Sequence, residues 1–149
     1  MIPAIDMRLR QDRFFWIVQG LALIFWWLLY LNGRNISGPE WFSNHIGEFF
    51  LLALAYPILE ETVFRGLLQG SLWQTRFGRM LVAGISLPNI IISVIFTALH
   101  FIYHPPLWAL AVFVPSLIFG FFRDRYQQLF PAIYLHVFFN AGYFLLFGN

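Results

Sequence analysis

Hydrophobic residues fill five long runs of this chain, and short polar joints separate each run from the next. The runs cover residues 14–31, 46–73, 81–103, 107–122 and 129–147. A segment that crosses a bilayer must satisfy its own backbone hydrogen bonds, and a helix does so within itself. The runs lack the alternation of polar and apolar residues that a membrane β-barrel requires. The pattern therefore predicts an all-α fold, a polytopic membrane helical bundle of about five transmembrane helices.

The third run has two interpretations because Pro88 lies inside it. Either its helix begins at Leu81, or residues 81–87 form an interfacial segment and the span begins near Pro88, since proline is favoured in the first helical turn. The second case places His100 roughly 18 Å from the start of its helix, and Glu60 lies roughly 15 Å from Gly70, near the end of its own run. His100 and Glu60 would then lie at similar depths in the membrane, so we favour the break at Pro88.

The composition supports a membrane protein and limits its chemistry. Of the 149 residues, 60% are hydrophobic and 11% are charged, whereas a soluble domain carries about 25% charged residues. We therefore expect one intramembrane domain over residues 1–149. The chain contains no cysteine and no lysine, which excludes a thiol nucleophile and a Ser–Lys dyad. It also lacks basic runs with interleaved aromatics, so we expect no nucleic-acid partner.

The arginines indicate the orientation of the predicted helices. With five spans, Arg34 lies on one side of the membrane and the other arginines outside the runs lie on the opposite side: Arg8, Arg10, Arg13, Arg76, Arg79, Arg123 and Arg125. Because positively charged residues accumulate on the cytoplasmic side, the N-terminus is predicted to be cytoplasmic. Residues 123–125 are then predicted to form a solvated cytoplasmic turn.

Three ionisable side chains lie within six residues of the second run, where charges are costly. Glu61 and Arg65 are four residues apart, so they share a helix face and are predicted to pair. Glu60 points about 100° away from that pair and is available to meet groups from other helices.

Two further runs carry strongly polar side chains. His100 lies in the third run, and the fifth run presents His136 and Asn140, four residues apart on one helix face. Polar groups without partners are costly in hydrocarbon, so we expect these side chains to converge with Glu60 in one pocket. Such a pocket can hydrolyse an amide. Glu60 and His100 would share a water molecule. His136 and Asn140 would donate hydrogen bonds to the developing oxyanion.

Other hydrolytic mechanisms are poorly supported. Ser93 and Ser116 lie within runs but in no Gly-Xaa-Ser-Xaa-Gly motif, and no His-Glu-Xaa-Xaa-His zinc motif occurs. The aspartates, Asp6, Asp12 and Asp124, all lie outside the runs, which excludes an intramembrane aspartate pair. Two carboxylates and two histidines could hold zinc. A buried arginine beside them argues against a site already balanced by a metal, so we expect no metal and no cofactor.

Three short motifs resemble those of the CAAX protease and bacteriocin-processing (Abi) family. The motifs are Glu60-Glu61-Xaa-Xaa-Xaa-Arg65, Phe96-Xaa-Xaa-Xaa-His100 and His136-Xaa-Xaa-Xaa-Asn140, and their order along the chain also fits. The resemblance implies a glutamate-type intramembrane endopeptidase in which Glu60 and His100 activate water. By the same likeness His136 and Asn140 form the oxyanion hole. Glu61 and Arg65 support these groups.

The resemblance also implies partners and a location. We expect a membrane-anchored protein or peptide substrate, and the lipid bilayer as the surroundings of the reaction. The chain is short for a prenyl-protein protease, so we expect a bacterial member of the inner membrane. Its substrate would carry a C-terminal sorting tail or a CAAX-like tail.

Two other functions could use the same residues. A non-catalytic immunity or assembly factor would bind the transmembrane segment of a partner, and the polar cluster would then serve helix packing. A small proton-coupled transporter also carries intramembrane glutamate and histidine. Transporters, however, are commonly built from internal repeats, and this sequence contains none.

Overall fold

The computed structural model describes residues 9–37 and 39–148, and these residues are helical except for short connections and one small hairpin. The predictions for Asp6 and Arg8 lie outside the described residues. The elements are α1 Arg13–Leu31, α2 Pro39–Asn44, α3 Ile46–Phe50, π1 Leu51–Ala55, α4 Tyr56–Glu61, π2 Thr62–Gln69, α5 Gly70–Trp73, β1 Leu81–Val82, β2 Ile85–Ser86, α6 Leu87–His100, α7 Pro106–Ala111, α8 Phe113–Tyr126 and α9 Phe130–Phe147. The predicted all-α class is confirmed.

Three helical stretches of the described residues are long and apolar enough to cross a membrane. They are Arg13–Leu31, Pro106–Tyr126 and Phe130–Phe147. Helix α6, with 14 residues, is shorter, and at 1.5 Å per residue it spans about 21 Å against about 30 Å of hydrocarbon. Large apolar side chains face outward, such as Leu67 and Ile102, which are 63% and 65% exposed. This surface suits lipid, and the protein is an integral, polytopic membrane protein.

The described residues divide into two compact units. The first contains the residues up to Tyr56 and those from Val137 onward, and the second is Pro57–His136. In the first unit, Trp26 of α1 packs in a cluster with Ala22 and Phe147. In the second unit, α6 packs against α8. This second unit holds most of the predicted site residues.

The second apolar run contains two π-helical segments that the sequence analysis did not predict. In π1 the N–H of Tyr56 donates to the carbonyl of Leu51, five residues earlier. Pro57 follows directly and has no N–H to continue either hydrogen-bond pattern. Its position explains why the winding changes here, and π-helical turns often accompany functional sites. The second segment, π2, begins directly after Glu61.

The third run begins with a β-hairpin, followed by α6. Leu81 pairs with Ser86 and Val82 with Ile85. Ala83 and Gly84 both have positive φ values, 51° and 83°, and two successive positive values are what a tight hairpin turn of this twist requires. The Ser86 hydroxyl then caps α6 by accepting a hydrogen bond from the Asn89 N–H at 3.2 Å. A helix from Leu81 is therefore wrong, and the preferred start near Pro88 is confirmed. The interfacial position of residues 81–87 stays a prediction.

Helices α6 and α8 approach each other closely at Gly120. A Cβ atom built on Gly120 would overlap the side chain of Asn89. Asn89 has little freedom to move away, because it is fully buried and its amide donates to the carbonyl of Leu117 at 2.9 Å. Only glycine permits this packing.

We therefore expect Gly120→Ala to destabilise the protein by about 1–3 kcal/mol, the usual cost of overpacking a core. The measurement is the free energy of unfolding of the purified protein in detergent. Gly20→Ala is the matched control, because nothing lies within 4 Å of a Cβ at Gly20 of α1. Equal effects of the two substitutions would contradict the tight packing inferred at Gly120.

Candidate active site

Glu61 and Arg65 form a wholly buried ion pair, which confirms the predicted pairing. Arg65 Nε lies 3.3 Å from Glu61 Oε2, and both side chains are 0% exposed. The remaining guanidinium nitrogens donate to Gln69 Oε1 at 3.2 Å and to the Ser116 carbonyl and hydroxyl at 2.9 and 2.5 Å. Arginine suits this position because its planar fork donates in several fixed directions at once.

His136 lies between the two glutamates. Its Nδ1 is 2.8 Å from Glu61 Oε1, and its Nε2 is 3.6 Å from Glu60 Oε2. The Phe119 ring stacks on the imidazole with 4.7 Å between centroids. An ionised carboxylate can only accept hydrogen bonds. Glu61, whose charge Arg65 balances, therefore accepts a hydrogen bond from Nδ1–H, and Nε2 is directed toward Glu60.

The two adjacent glutamates have different surroundings. Glu61 is wholly buried and bonded on both sides, whereas the side chain of Glu60 is 34% exposed. The helix geometry that separates neighbouring residues by about 100° accounts for this difference. Glu60 is therefore the carboxylate that an external molecule can reach.

His100 lies at the end of α6, next to Phe96. Its Nδ1 is 2.8 Å from the Phe96 carbonyl. A carbonyl only accepts, so Nδ1 carries the proton and Nε2 presents a lone pair. The Phe96 ring contacts both imidazoles, with centroid distances of 4.5 Å to His100 and 6.2 Å to His136. The imidazole paired with Glu60 is thus that of His136, and a water shared by Glu60 and His100 stays a prediction.

Asn140 belongs to the unit that contains α1, one helical turn beyond His136 on α9. Its amide nitrogen donates to the Leu52 carbonyl at 3.0 Å. In the π-helical pattern of this segment the Leu52 carbonyl would accept from residue 57, and Pro57 has no N–H to donate. Asn140 supplies the missing donor. Its role toward an oxyanion stays a prediction.

Sequence reasoning missed three polar groups that support the site: the wholly buried Gln69 and Ser116, and Asp124, whose side chain is 11% exposed. Gln69 is 0% exposed, and its Nε2 donates to the Gly120 carbonyl at 3.1 Å and to Asp124 Oδ1 at 2.8 Å. A signal was present, because Gln69 follows Arg65 by the same four residues that separate Arg65 from Glu61. Ser116 and Asp124 gave no such signal, since Arg65, the partner of Ser116, and Gln69 and Ser86, two of the donors to Asp124, lie far away along the chain.

The prediction of a solvated turn at residues 123–125 is wrong. These residues form the last turn of α8, and the Asp124 side chain is only 11% exposed. Its carboxylate accepts hydrogen bonds from Gln69, Ser86 and Arg123. These donors replace most of the water around the carboxylate, so the charge can remain at this partly buried position.

The donor set does not fit a resident metal ion. Both ring nitrogens of His136 face glutamate oxygens, and Arg65 already balances the charge of Glu61. Across residues 9–37 and 39–148, no three histidine or acidic side chains converge in a way that could hold an ion.

Among known proteins, the chain matches the sequence model of one family. No curated protein and no solved structure matches the chain. The sequence model of one family, described as Type II CAAX prenyl endopeptidase Rce1-like, matches residues 40–142. The matched segment contains all six residues of the three motifs. They are Glu60, Glu61 and Arg65 in the second apolar run, His100 on α6, and His136 and Asn140 on α9. Since the match covers most of the sequence, the chain belongs to the Rce1-like family of type II CAAX prenyl endopeptidases.

Proposed function

We propose that this protein is an intramembrane endopeptidase that hydrolyses a peptide bond of a membrane-anchored protein with a water molecule activated by Glu60. The observation that carries the proposal is the arrangement around His136, which lies between the reachable Glu60 and the buried Glu61–Arg65 pair. The family supports it, because CAAX proteases act on membrane-anchored protein substrates within the membrane. A cluster that served helix packing alone would have no need for a partly exposed carboxylate.

Glu60 is the proposed general base. It would take one proton from the water as the oxygen attacks the substrate carbonyl carbon, and later give that proton to the leaving amine. The C–N bond breaks in that step, and the products are an amine and a carboxylic acid, which keeps the second proton of the water until it ionises on release. Glu61 has a different role, because its two oxygens are occupied by Arg65 and His136. It would hold the imidazole in place.

His100 is proposed to orient the attacking water. Its Nδ1 proton is directed to the Phe96 carbonyl, so its Nε2 can accept a hydrogen bond from water. A water held between this nitrogen and the Glu60 carboxylate would have its oxygen lone pair free for attack. Correct placement of the nucleophile accounts for a large part of many enzymatic rate accelerations.

His136 and Asn140 are proposed to stabilise the oxyanion. For His136 the donor would be Nε2, while Nδ1 continues to donate to Glu61. Donation from both nitrogens requires an imidazolium, and the Glu60 carboxylate, 3.6 Å from Nε2, would supply the balancing charge before it takes the proton from water. The assignment of Asn140 rests on its position in the third motif, four residues after His136.

We further propose the setting in which the enzyme works. The chain would act as one domain over residues 1–149 in a bacterial inner membrane, with its N-terminus in the cytoplasm. The distribution of arginines supports this orientation. The substrate would be a protein with a C-terminal sorting tail or a CAAX-like tail, cleaved without a cofactor and without nucleic acid.

The test is cleavage of a prenylated peptide with a C-terminal CAAX sequence by the purified protein in liposomes. His100→Ala is expected to lower kcat by about 10²-fold, within the range of contributions from single acid–base groups. His104→Ala is the matched control, since its ring stacks on His100 at 5.6 Å but has no proposed role. It is expected to retain nearly full activity. Unchanged kcat in His100→Ala would remove His100 from the mechanism, and no cleavage by the unmodified protein would remove this substrate class.

A further inference from the structure

Asp124 connects two elements that carry proposed catalytic residues. It lies in the last turn of α8, and each of its carboxylate oxygens bonds to a different element. Oδ1 accepts from Gln69 Nε2, at the end of π2, at 2.8 Å. Oδ2 accepts from the hydroxyl of Ser86, the residue that caps α6. The Asp124 side chain therefore bonds both to the helical segment that follows Glu60 and Glu61 and to the start of α6, the helix that carries His100.

The hydrogen bond between Asp124 and Gln69 is the first of a continuous series that reaches Glu61 and His136. Gln69 donates to Asp124 and accepts from Arg65 Nη1 at 3.2 Å. Arg65 donates to Glu61, which holds the His136 imidazole. The Gln69 amide must be oriented for this, since its nitrogen faces Asp124 and its oxygen faces Arg65. An acceptor at Asp124 fixes that orientation, because the reversed amide would direct its oxygen at a carboxylate.

The second connection fixes the start of α6. The Ser86 hydroxyl accepts from the Asn89 N–H at 3.2 Å while it donates to Asp124. The Asn89 side-chain amide in turn donates a hydrogen bond to the Leu117 carbonyl on α8. Its oxygen accepts a hydrogen bond from the Ser93 hydroxyl on α6. Because a helix is stiff over 14 residues, fixing its first turn also fixes where its last residue, His100, is placed.

We propose that Asp124 is a positioning residue that sets the alignment of the glutamate helix relative to the His100 helix; this inference rests on the proposed function. Asp124 itself does not touch substrate. It acts through Gln69 on one side and Ser86 on the other. Displacement of reacting groups by about 1 Å can cost about 10²-fold in rate, so loss of both connections should mainly lower kcat.

Activity in a series of variants gives the first test. Asp124→Ala is expected to lower kcat by about 10²-fold with KM changed less than about 3-fold. Asp124→Asn keeps an oxygen within reach of Gln69 and is expected to recover part of the loss. Adding Asp124→Ala to the Gln69→Met, Ser86→Ala double variant should lower kcat no further, because both connections are already gone. Arg125→Gln, in the same helical turn, is the control and should leave kcat unchanged.

A distance measurement tests the alignment without any substrate. The chain has no cysteine, so spin labels can be attached at Leu67→Cys and Val94→Cys, two exposed positions on π2 and α6. Asp124→Ala should shift or broaden the distance distribution between the labels, Asp124→Asn should do so less, and Arg125→Gln should not. If cleavage is absent in all proteins while these shifts occur, the proposed function fails and the alignment role stands. Wild-type distances and wild-type kcat in Asp124→Ala, or in Asp124→Asn if the alanine variant does not fold, would overturn the inference.

Discussion

Replacing Glu60 with glutamine is expected to reduce peptide hydrolysis by about 10³-fold or more, near the upper end of contributions from a general base. Glutamine has the same shape but cannot take a proton from water. It can still face His136 Nε2, which lies 3.6 Å from the Glu60 carboxylate, so the surrounding structure should persist. The side chain is 34% exposed, and the substitution should therefore change the free energy of unfolding by less than about 0.5 kcal/mol.

The measurement is single-turnover cleavage of the prenylated peptide in liposomes, with circular dichroism to verify the helical content. Glu48→Gln is the matched control, because Glu48 is an exposed glutamate of the same apolar run. It should retain full activity. Cleavage by Glu60→Gln at the rate of the control would show that this carboxylate is not the base. The protein would then be better explained as a membrane factor in which the polar cluster serves packing.

Local spacing allowed a large part of the site to be predicted from the sequence. Glu61 and Arg65 pair because residues four apart meet on one helix face, a rule that needs no knowledge of the tertiary structure. The start of α6 was also predictable, since Pro88 favours a first helical turn and Ser86 is a good cap. These features depend on a few consecutive residues, and the structure agrees with them.

Features that depend on distant partners could not be predicted in the same way. Asp124 bonds to residues 38 and 55 positions away, so its short motif between two arginines resembled a solvated turn. The pairing of Glu60 with His136 joins residues that are far apart in the sequence, and motif order alone could not distinguish it from a pairing with His100. The change to π-helical winding near Pro57 depends on backbone hydrogen bonds that hydrophobic periodicity does not report.

Replacing Arg65 with methionine is expected to lower the free energy of unfolding by about 3–5 kcal/mol, the usual cost of leaving one member of a buried ion pair without its partner. The substitution keeps an unbranched apolar chain but leaves Glu61 charged and wholly buried. It also removes the donors to Gln69 and Ser116. Arg79→Met is the matched control, because Arg79 is exposed in a loop, and it should change stability by less than about 0.5 kcal/mol.

The double variant Glu61→Gln, Arg65→Met distinguishes a charge effect from a packing effect. If the uncompensated Glu61 charge causes most of the loss, neutralising it should restore part of the stability, and the two substitutions should be coupled by about 1–3 kcal/mol. If lost packing were the cause, the two effects would add, and this would contradict the role assigned to the pair. Activity should not return in the double variant, because Glu61 is also the group that orients His136 toward Glu60. Recovered stability without recovered cleavage would therefore separate the folding role of the ion pair from its role in the proposed reaction.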